Sequence, residues 1–217
     1  MKNAMNAFIS KHAHEDTKAL VIDAETLLSS SRLTKKGVLP SNIVVINSDQ
    51  DVIEKAKENG HIHSVCGVST TVLSQIKGAF DIIYLDYCGT PKGNSTNGFS
   101  PQIDMWWATS NLKDDGILAC TFSRRCQNAI KTALNLIPSA LQLCFDIKYC
   151  ETSAMYTMIL TRKRRPGLKK LFSKLYNPKA NKIPKRVVKK RDFFSYTEFY
   201  TQNKRCKKRR TRNKNTK

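Results

Sequence analysis

The sequence has no apolar run of the roughly 18 residues that a membrane-spanning helix requires, so we expect no transmembrane segment. The first residues also lack the uninterrupted apolar stretch of a secretion signal. A mitochondrial presequence is disfavoured, because the first 20 residues contain no arginine and include Glu15 and Asp16. We therefore interpret residues 1–17 as a short N-terminal leader to a folded domain.

Paired cysteines are also lacking, since none of the seven cysteines forms a C-x-x-C pair. A zinc site needs several ligands paired at short spacing, and the cysteines form no such pair with one another. We predict no metal site. Buried free thiols are typical of proteins in a reducing intracellular compartment, and this is the localisation that we expect.

Acidic residues are scarce in the last quarter of the chain. Residues 1–161 contain 15 Lys and Arg against 15 Asp and Glu, which gives a net charge of zero. Residues 162–217 contain 23 against 2, which accounts for the whole net charge of +21. Such a concentrated cationic segment indicates a binding arm for nucleic acid or an anionic membrane surface. We therefore divide the chain into a domain at residues 18–161 and a basic tail at residues 162–217.

Apolar runs alternate with helical patterns through residues 18–161. The alternating runs predict strands at 18–23, 42–47, 62–66, 80–86 and 117–123. Two further runs, at 141–149 and 155–161, are separated only by a short polar turn and predict an antiparallel pair. Parallel strands need crossover connections, which the intervening helices provide. The predicted fold is α/β, a three-layer sandwich around a mostly parallel seven-stranded sheet with a C-terminal antiparallel hairpin.

Ligands of open α/β sheets bind outside the carboxyl ends of the strands. Asp23 and Asp86 both end strands that are otherwise apolar, where a charge without a purpose is costly. Asn47 ends the second strand, Asp49 lies two residues later, and Cys66 ends the third strand. These positions mark the candidate site. The alternative is that Asp23 and Asp86 only cap the following loop or helix through its backbone N–H groups.

This pattern of strands and acids resembles the class I S-adenosyl-L-methionine (SAM)-dependent methyltransferases over about residues 18–161. The segment V-I-D-A-E-T looks like the first motif of that family, and N-I-V-V-I-N-S-D looks like the second-strand motif. F-D-I-I-Y-L-D-Y-C-G-T looks like the fourth motif, and L-K-D-D-G-I-L-A-C-T-F-S resembles the segment after it. The resemblance implies SAM as cofactor. It implies cofactor binding by Asp23, Ala24, Glu25, Thr26, Asn47, Asp49, Cys66 and Gly67.

The first loop departs from the family pattern. The family has a G-x-G there, whereas this chain has no glycine between Asp23 and Gly37. Only glycine adopts positive φ without cost, so the loop must follow a different path. The hydroxyls of Thr26, Ser29 and Ser30 could then contact the cofactor in place of backbone amides. The alternative is a sheet that kept its architecture and lost the cofactor.

Asp86 and Tyr87 are the catalytic candidates. In amino-methylating members of the family, an acid or amide at this position accepts hydrogen bonds from the target nitrogen, and an aromatic ring stacks on the base. D-Y-C-G-T-P also resembles the D-P-F/Y-G-T/S-P segment of guanosine-methylating tRNA enzymes, without its first proline. The resemblance implies a base nitrogen as acceptor. Cys88 is read either as a nucleophile or, in the favoured interpretation, as a small buried residue in a tight turn.

The tail combines cations, which neutralise phosphates, with aromatic residues, which stack on unpaired bases. That mixture favours RNA over DNA as partner and is compatible with the nucleus or another nucleic-acid-rich assembly. Three alternatives stay open: a nuclear localisation signal alone, a docked amphipathic helix at 168–176, and contact of that helix with an anionic membrane. The predicted nucleic-acid-binding residues are Arg162, Lys163, Arg164, Arg165, Lys189, Lys190, Arg191, Lys207, Lys208, Arg209 and Arg210.

The function predicted from these observations is that of a SAM-dependent methyltransferase acting on nucleic acid, with the tail anchoring the substrate. A catalytically inactive methyltransferase-fold protein, serving as a structural nucleic-acid-binding component of a ribonucleoprotein or virion, is the alternative. A Rossmann-like protein that binds another nucleotide is a weaker third interpretation. It is weaker because the chain contains neither of the usual phosphate-binding loops.

Overall fold

The computed structural model describes residues 2–150, 154–165 and 167–176. The strands are β1 (Ala19–Ile22), β2 (Ile43–Asn47), β3 (Val65–Cys66), β4 (Phe80–Asp86), β5 (Leu112–Ser123), β6 (Gln142–Cys150) and β7 (Ala154–Thr161). The α-helices are α1 (Lys2–Ser10), α2 (Leu28–Thr34), α3 (Gln50–Glu58), α4 (Ser69–Leu73), α5 (Pro101–Asn111), α6 (Ala129–Asn135) and α7 (Gly167–Leu175).

The seven strands form one sheet in the order β3-β2-β1-β4-β5-β7-β6. Strands β1 to β5 are parallel, and β7 is antiparallel to both of its neighbours, β5 and β6. The predicted mixed α/β sheet with a C-terminal antiparallel hairpin is therefore confirmed. Because β5 and β6 both run opposite to β7, their carboxyl ends lie at the same edge of the sheet.

Helices cover the sheet on both faces, which explains why the central strands are apolar on both sides. Alternate residues of β1 enter different layers: Val21 packs with α1, α3 and α7, whereas Leu20 packs with α4, α5 and α6. The same alternation holds along β4, where Ile82 and Ile83 face opposite layers. This arrangement is a three-layer sandwich.

Helices α1 and α7 lie in segments that the sequence analysis placed outside the domain, and they belong to the same compact unit as the sheet. Phe8 of α1 contacts both Phe145 of β6 and Phe172 of α7 edge-on, at centroid distances of 5.4 and 5.7 Å. All three rings are buried. For residues 167–175, the structure thus has the docked amphipathic helix that the sequence left as an alternative.

Several elements are shorter than expected. Strand β3 keeps two residues of the predicted 62–66 strand, and β1 keeps four residues of the predicted 18–23 strand. Strand β5 is longer and begins at Leu112. No helix in the described part of the chain has the length and apolarity to cross a membrane.

Candidate functional site

Sheet register gathers the predicted site residues at one edge. Ile22, the last residue of β1, is aligned with Ile46 of β2 and with Leu85 of β4. Asn47 is aligned with Cys66, and the Gly67 backbone N–H donates to the Asn47 carbonyl at 2.8 Å. Cys66, Asn47 and Asp86 therefore end β3, β2 and β4, and Asp23 directly follows β1, between β2 and β4 in the sheet.

The carboxylate of Asp23 is buried and holds the start of α2. Its Oδ2 accepts hydrogen bonds from the backbone N–H groups of Ser29 (3.0 Å) and Ser30 (2.8 Å) and from the Ser30 hydroxyl (2.9 Å). Its Oδ1 accepts from the Ala24 backbone N–H at 3.1 Å. Asp23 thus satisfies otherwise unpaired donors of the helix terminus.

A tight turn from Ala24 to Leu27 stands where the family has its glycine loop. The Leu27 N–H donates to the Ala24 carbonyl at 2.8 Å, and Leu27 adopts the left-handed conformation with φ of 49°. Its side chain is buried, so packing offsets the strain of about 1 kcal/mol. Glu25 and Thr26 are exposed, and their backbone N–H groups donate to no residue that the structure describes.

The side-chain amide of Asn47 links the end of β2 to the residue after β1 and also holds the turn after β2. Its Nδ2 donates to the Asp23 carbonyl at 2.6 Å, and its Oδ1 accepts from the Asp49 N–H at 2.8 Å. The Asp49 side chain is exposed, and its Oδ1 caps α3 by accepting from the Asp51 N–H at 3.0 Å. Asp49 therefore presents a carboxylate at the edge with one oxygen committed to the helix.

Cys66 and Gly67 complete the first half of the edge. Cys66 is an exposed free thiol. Gly67 has φ of +150°, and a Cβ there would lie 2.8 Å from Cγ2 of Val72. The glycine is therefore required for close packing of the β3 end against α4.

Asp86 is half-buried at the end of β4, and the loop that follows is hydrogen-bonded to β5. Cys88 in this loop is exposed, so the expected burial of its side chain is wrong. The Tyr87 N–H donates to the Thr121 carbonyl at 3.0 Å, and the Ser123 N–H donates to the Gly89 carbonyl at 2.9 Å. Farther along the loop, Gly93 has φ of +76°, and a Cβ there would lie 2.5 Å from the Phe99 carbonyl oxygen. The loop beside Asp86 is thus held in one path by the sheet and by a glycine turn.

Tyr87 is 4% exposed, and its ring lies between Phe99 and Phe122 at centroid distances of 4.9 and 5.2 Å. Its hydroxyl donates to Oδ2 of Asp104 at 2.7 Å. Burial and the neighbouring Asp104 raise the pKa of the Tyr87 hydroxyl. The structure does not bring this ring to a surface on which a base could stack.

Asp104 is a residue that the sequence analysis did not identify. It is 0% exposed, and its Oδ2 also accepts from the Ser69 hydroxyl at 2.6 Å. Burial raises the pKa of its carboxyl, against the opposing effect of the hydroxyl donors. The available signal was an acid on the buried stripe of α5, where Pro101, Met105 and Ala108 are also buried.

The first basic residues of the tail lie at the opposite edge of the sheet, because β7 runs antiparallel to β5. The Arg162 guanidinium donates to the carbonyls of Leu112 (3.0 Å) and Thr109, and Arg165 donates to the Asp115 carbonyl at 3.0 Å. Lys163 and Arg164 are exposed. The predicted nucleic-acid-binding residues beyond position 176 lie outside the described residues, namely Lys189, Lys190, Arg191, Lys207, Lys208, Arg209 and Arg210.

Comparison with known proteins gives the fold. No family model and no curated protein matches the chain. Among solved structures, a TehB-like SAM-dependent methyltransferase from Corynebacterium glutamicum aligns with a TM-score of 0.53 at 16% identity, over 74% of this chain and 88% of that one. The N-methyltransferase NodS from Bradyrhizobium japonicum aligns with a TM-score of 0.52 at 10% identity, over 73% and 93%.

An rRNA methylase from Streptococcus thermophilus also aligns, with a TM-score of 0.50 at 9% identity, over 74% of this chain and 95% of that one. At such low identity, these similarities establish the architecture and not the activity. The fold is that of the class I SAM-dependent methyltransferases, as the sequence resemblance implied.

Proposed function

We propose that this protein is a SAM-dependent methyltransferase that acts on nucleic acid, with a base nitrogen of RNA as the favoured acceptor. The observation that carries the proposal is the sheet edge at which Asn47 and Asp86 end their strands and Asp23 directly follows the strand between them, in a methyltransferase-type sheet. Open α/β sheets bind their ligands at this edge.

The residues at the edge fit the chemical groups of SAM. The exposed Glu25 and Thr26 N–H groups and the Thr26 hydroxyl are donors of the kind that a carboxylate needs. The exposed carboxylate of Asp49 is an acceptor for ribose hydroxyls and keeps one oxygen beyond its capping bond. Asp23 and Asn47 would position the loop that carries Glu25 and Thr26, since their side chains hydrogen-bond to the backbone of this loop and of the start of α2.

Bound SAM supplies a methyl group on a positively charged sulfur. In the proposed mechanism, Asp86 accepts a hydrogen bond from the N–H of the acceptor base and so orients the nitrogen. Positioning of this kind is the main contribution that the protein has to make to such a transfer. Tyr87 would act indirectly, because its hydroxyl bond to Asp104 fixes the backbone that carries Asp86.

A nucleic-acid substrate is supported by the tail, in which 23 basic residues stand against 2 acidic ones. Cations at this density neutralise phosphates and release counterions on binding. The S. thermophilus protein with the same architecture is an rRNA methylase, which is compatible with this assignment. We propose that the tail anchors the substrate in a reducing, nucleic-acid-rich compartment of the cell.

The decisive experiment is calorimetric titration of the full chain with S-adenosylhomocysteine. We expect saturable binding, together with transfer of a radioactive methyl group from SAM to RNA that Asp86→Ala abolishes. Asp51→Ala is the matched control, because this exposed acid lies near the edge without lining it. Absence of heat and of a thermal shift at millimolar ligand would instead support an inactive structural component of a ribonucleoprotein or virion.

A further inference from the structure

A groove opens between α6 and the edge strand β6, beside the end of β5. It has a volume of about 560 Å³, and its lining includes the basic residues Arg124, Lys131 and Lys148. The amide side chains of Asn128 and Asn135 also line it. The groove therefore offers cationic and neutral hydrogen-bond donors from three different elements.

The cations of the groove have no acidic partner among residues 2–150, 154–165 and 167–176. Arg124, Lys131 and Lys148 are exposed and form no ion pair with any residue that the structure describes. Residues 120–150 contain four basic residues against one acidic residue, although residues 1–161 as a whole are neutral. The excess positive charge of this region is thus free to meet an external anion.

The groove lies at the same sheet edge as Asp86. Thr121 is aligned with Asp86, and Arg124 follows three residues later, about 10 Å along the strand at roughly 3.3 Å per residue. The first tail cations are at the other edge: Arg162 lies just beyond β7, which is aligned with β5 from Ser123 back to Leu118. Among the residues that the structure describes, the groove cations therefore lie at the edge of the proposed acceptor site, and Arg162 lies at the other edge.

We propose that this groove binds the phosphodiester backbone of a nucleic-acid strand next to the nucleotide presented to Asp86. The proposal deepens the proposed function and rests on it for the position of the acceptor. Lysine and arginine bind phosphate oxygens, and asparagine amides add directional donors without sequence preference. The groove thus positions the strand, while the tail supplies long-range attraction.

The test compares two full-length variants that lose the same charge. Arg124→Gln/Lys131→Gln/Lys148→Gln removes the groove cations, and Lys35→Gln/Lys36→Gln/Lys77→Gln removes three exposed lysines elsewhere. Binding of a fluorescent 12-nucleotide RNA is measured across a salt series. We expect the groove variant to bind this RNA about tenfold more weakly. The slope of log affinity against log salt concentration should fall in magnitude by about 2, because each lost phosphate contact removes roughly 0.7. Equal effects of both variants would overturn the proposal.

Photocrosslinking gives a second readout that the tail cannot mimic. An RNA containing 4-thiouridine should crosslink to peptides covering residues 124–135 or Lys148, and the groove variant should lose these products. Crosslinks confined to residues 162–217 would overturn the proposal. So would groove substitutions that weaken binding to phosphatidylserine vesicles and leave RNA binding unchanged. Titration of the same proteins with S-adenosylhomocysteine keeps the two proposals separate, because failure of cofactor binding would defeat the enzyme assignment alone.

Discussion

The hydroxyl of Tyr87 and the carboxylate of Asp104 share a hydrogen bond of 2.7 Å in the interior of the protein. Tyr87 immediately follows Asp86, and Asp104 lies on the first turns of α5. The Ser69 hydroxyl at the start of α4 donates to the same carboxylate oxygen. One buried acid thus fastens two helices to the segment that carries the proposed catalytic residue.

Removal of the Tyr87 hydroxyl should destabilise the protein. Tyr87→Phe leaves the buried Asp104 carboxylate with one donor fewer, and we expect the free energy of unfolding to fall by about 1–3 kcal/mol. Urea denaturation measures the change. Tyr84→Phe is the control, because Tyr84 is equally buried but its hydroxyl lies 3.5 Å from Oγ1 of Thr121. A loss in the control as large as in Tyr87→Phe would contradict this account.

Asp104 should make stability depend on pH in the direction opposite to that of most carboxylates. Burial raises its pKa above the ordinary value of 3.8, so the folded state binds the proton more tightly than the unfolded state. Its contribution is therefore most favourable below pH 3.8 and falls as the pH rises through the raised pKa. The difference in unfolding free energy between wild type and Asp104→Asn should decrease across this window. A difference that stays constant with pH would show that Asp104 does not titrate in this way.

Asp49 allows capping to be separated from cofactor binding. Asparagine caps helices about as well as aspartate does, so Asp49→Asn should change the unfolding free energy by only a few tenths of a kcal/mol. We expect the affinity for S-adenosylhomocysteine to fall about tenfold, because a charged acceptor for the ribose is lost. Calorimetry measures this, with Asp51→Asn as the control for loss of a nearby exposed charge. Unchanged affinity would remove Asp49 from the proposed pocket.

The left-handed conformation of Leu27 should determine which of two variants, Leu27→Gly or Leu27→Ala, is the more stable. Glycine normally destabilises relative to alanine by about 1 kcal/mol within a helix, but glycine is favoured where φ is positive. We therefore expect Leu27→Gly to be at least as stable as Leu27→Ala. At the equally buried helical position Leu33, the alanine variant should be the more stable of the pair. Chemical denaturation of the four variants tests both halves, and the same order at both positions would refute the expectation.

Arg162 should contribute to folding more than to RNA affinity. Its guanidinium bonds to the Leu112 and Thr109 carbonyls tie the end of β7 to the end of α5, so Arg162→Gln should cost about 1–3 kcal/mol. Lys163→Gln, at an exposed neighbouring position, is the control and should leave the unfolding free energy nearly unchanged. Thermal denaturation and RNA binding are measured for both. An Arg162 variant with unaltered stability and weakened RNA binding would favour the direct contact instead.

The sheet and the edge that holds the candidate site could be predicted from the sequence, because both depend on short segments of the chain. Each central strand is an apolar run, and the polar residues that end them are visible in the same segments, as with Asp23 and Asp86. Parallel alignment then places these residues side by side without further information. What each of them does at that edge stays a prediction.

Features that depend on distant partners could not be predicted in the same way. Phe8 and Phe172 each lie in a short helix, and the apolar face of each helix is buried by contact with Phe145, which is distant from both in the sequence. The position of Asp23 at the end of the first strand was predicted, but its hydrogen bonds from the backbone N–H groups of Ser29 and Ser30 depend on the tight turn at Leu27. The groove cations come from the residue after β5, from α6 and from β6, and their positions depend on a strand order in which β7 is inserted between β5 and β6.

That insertion of β7 also governs how the protein is made. The ribosome releases β6 before β7, yet β7 occupies the inner position beside β5. Until Thr161 has emerged, β5 lacks the neighbouring strand β7. Its edge, which includes the apolar residues Leu118, Cys120 and Phe122, is then exposed and unpaired. Such an edge is a template for association with other chains. A product terminated within residues 124–153 should accordingly be recovered in aggregates, whereas translation through the last strand closes the sheet.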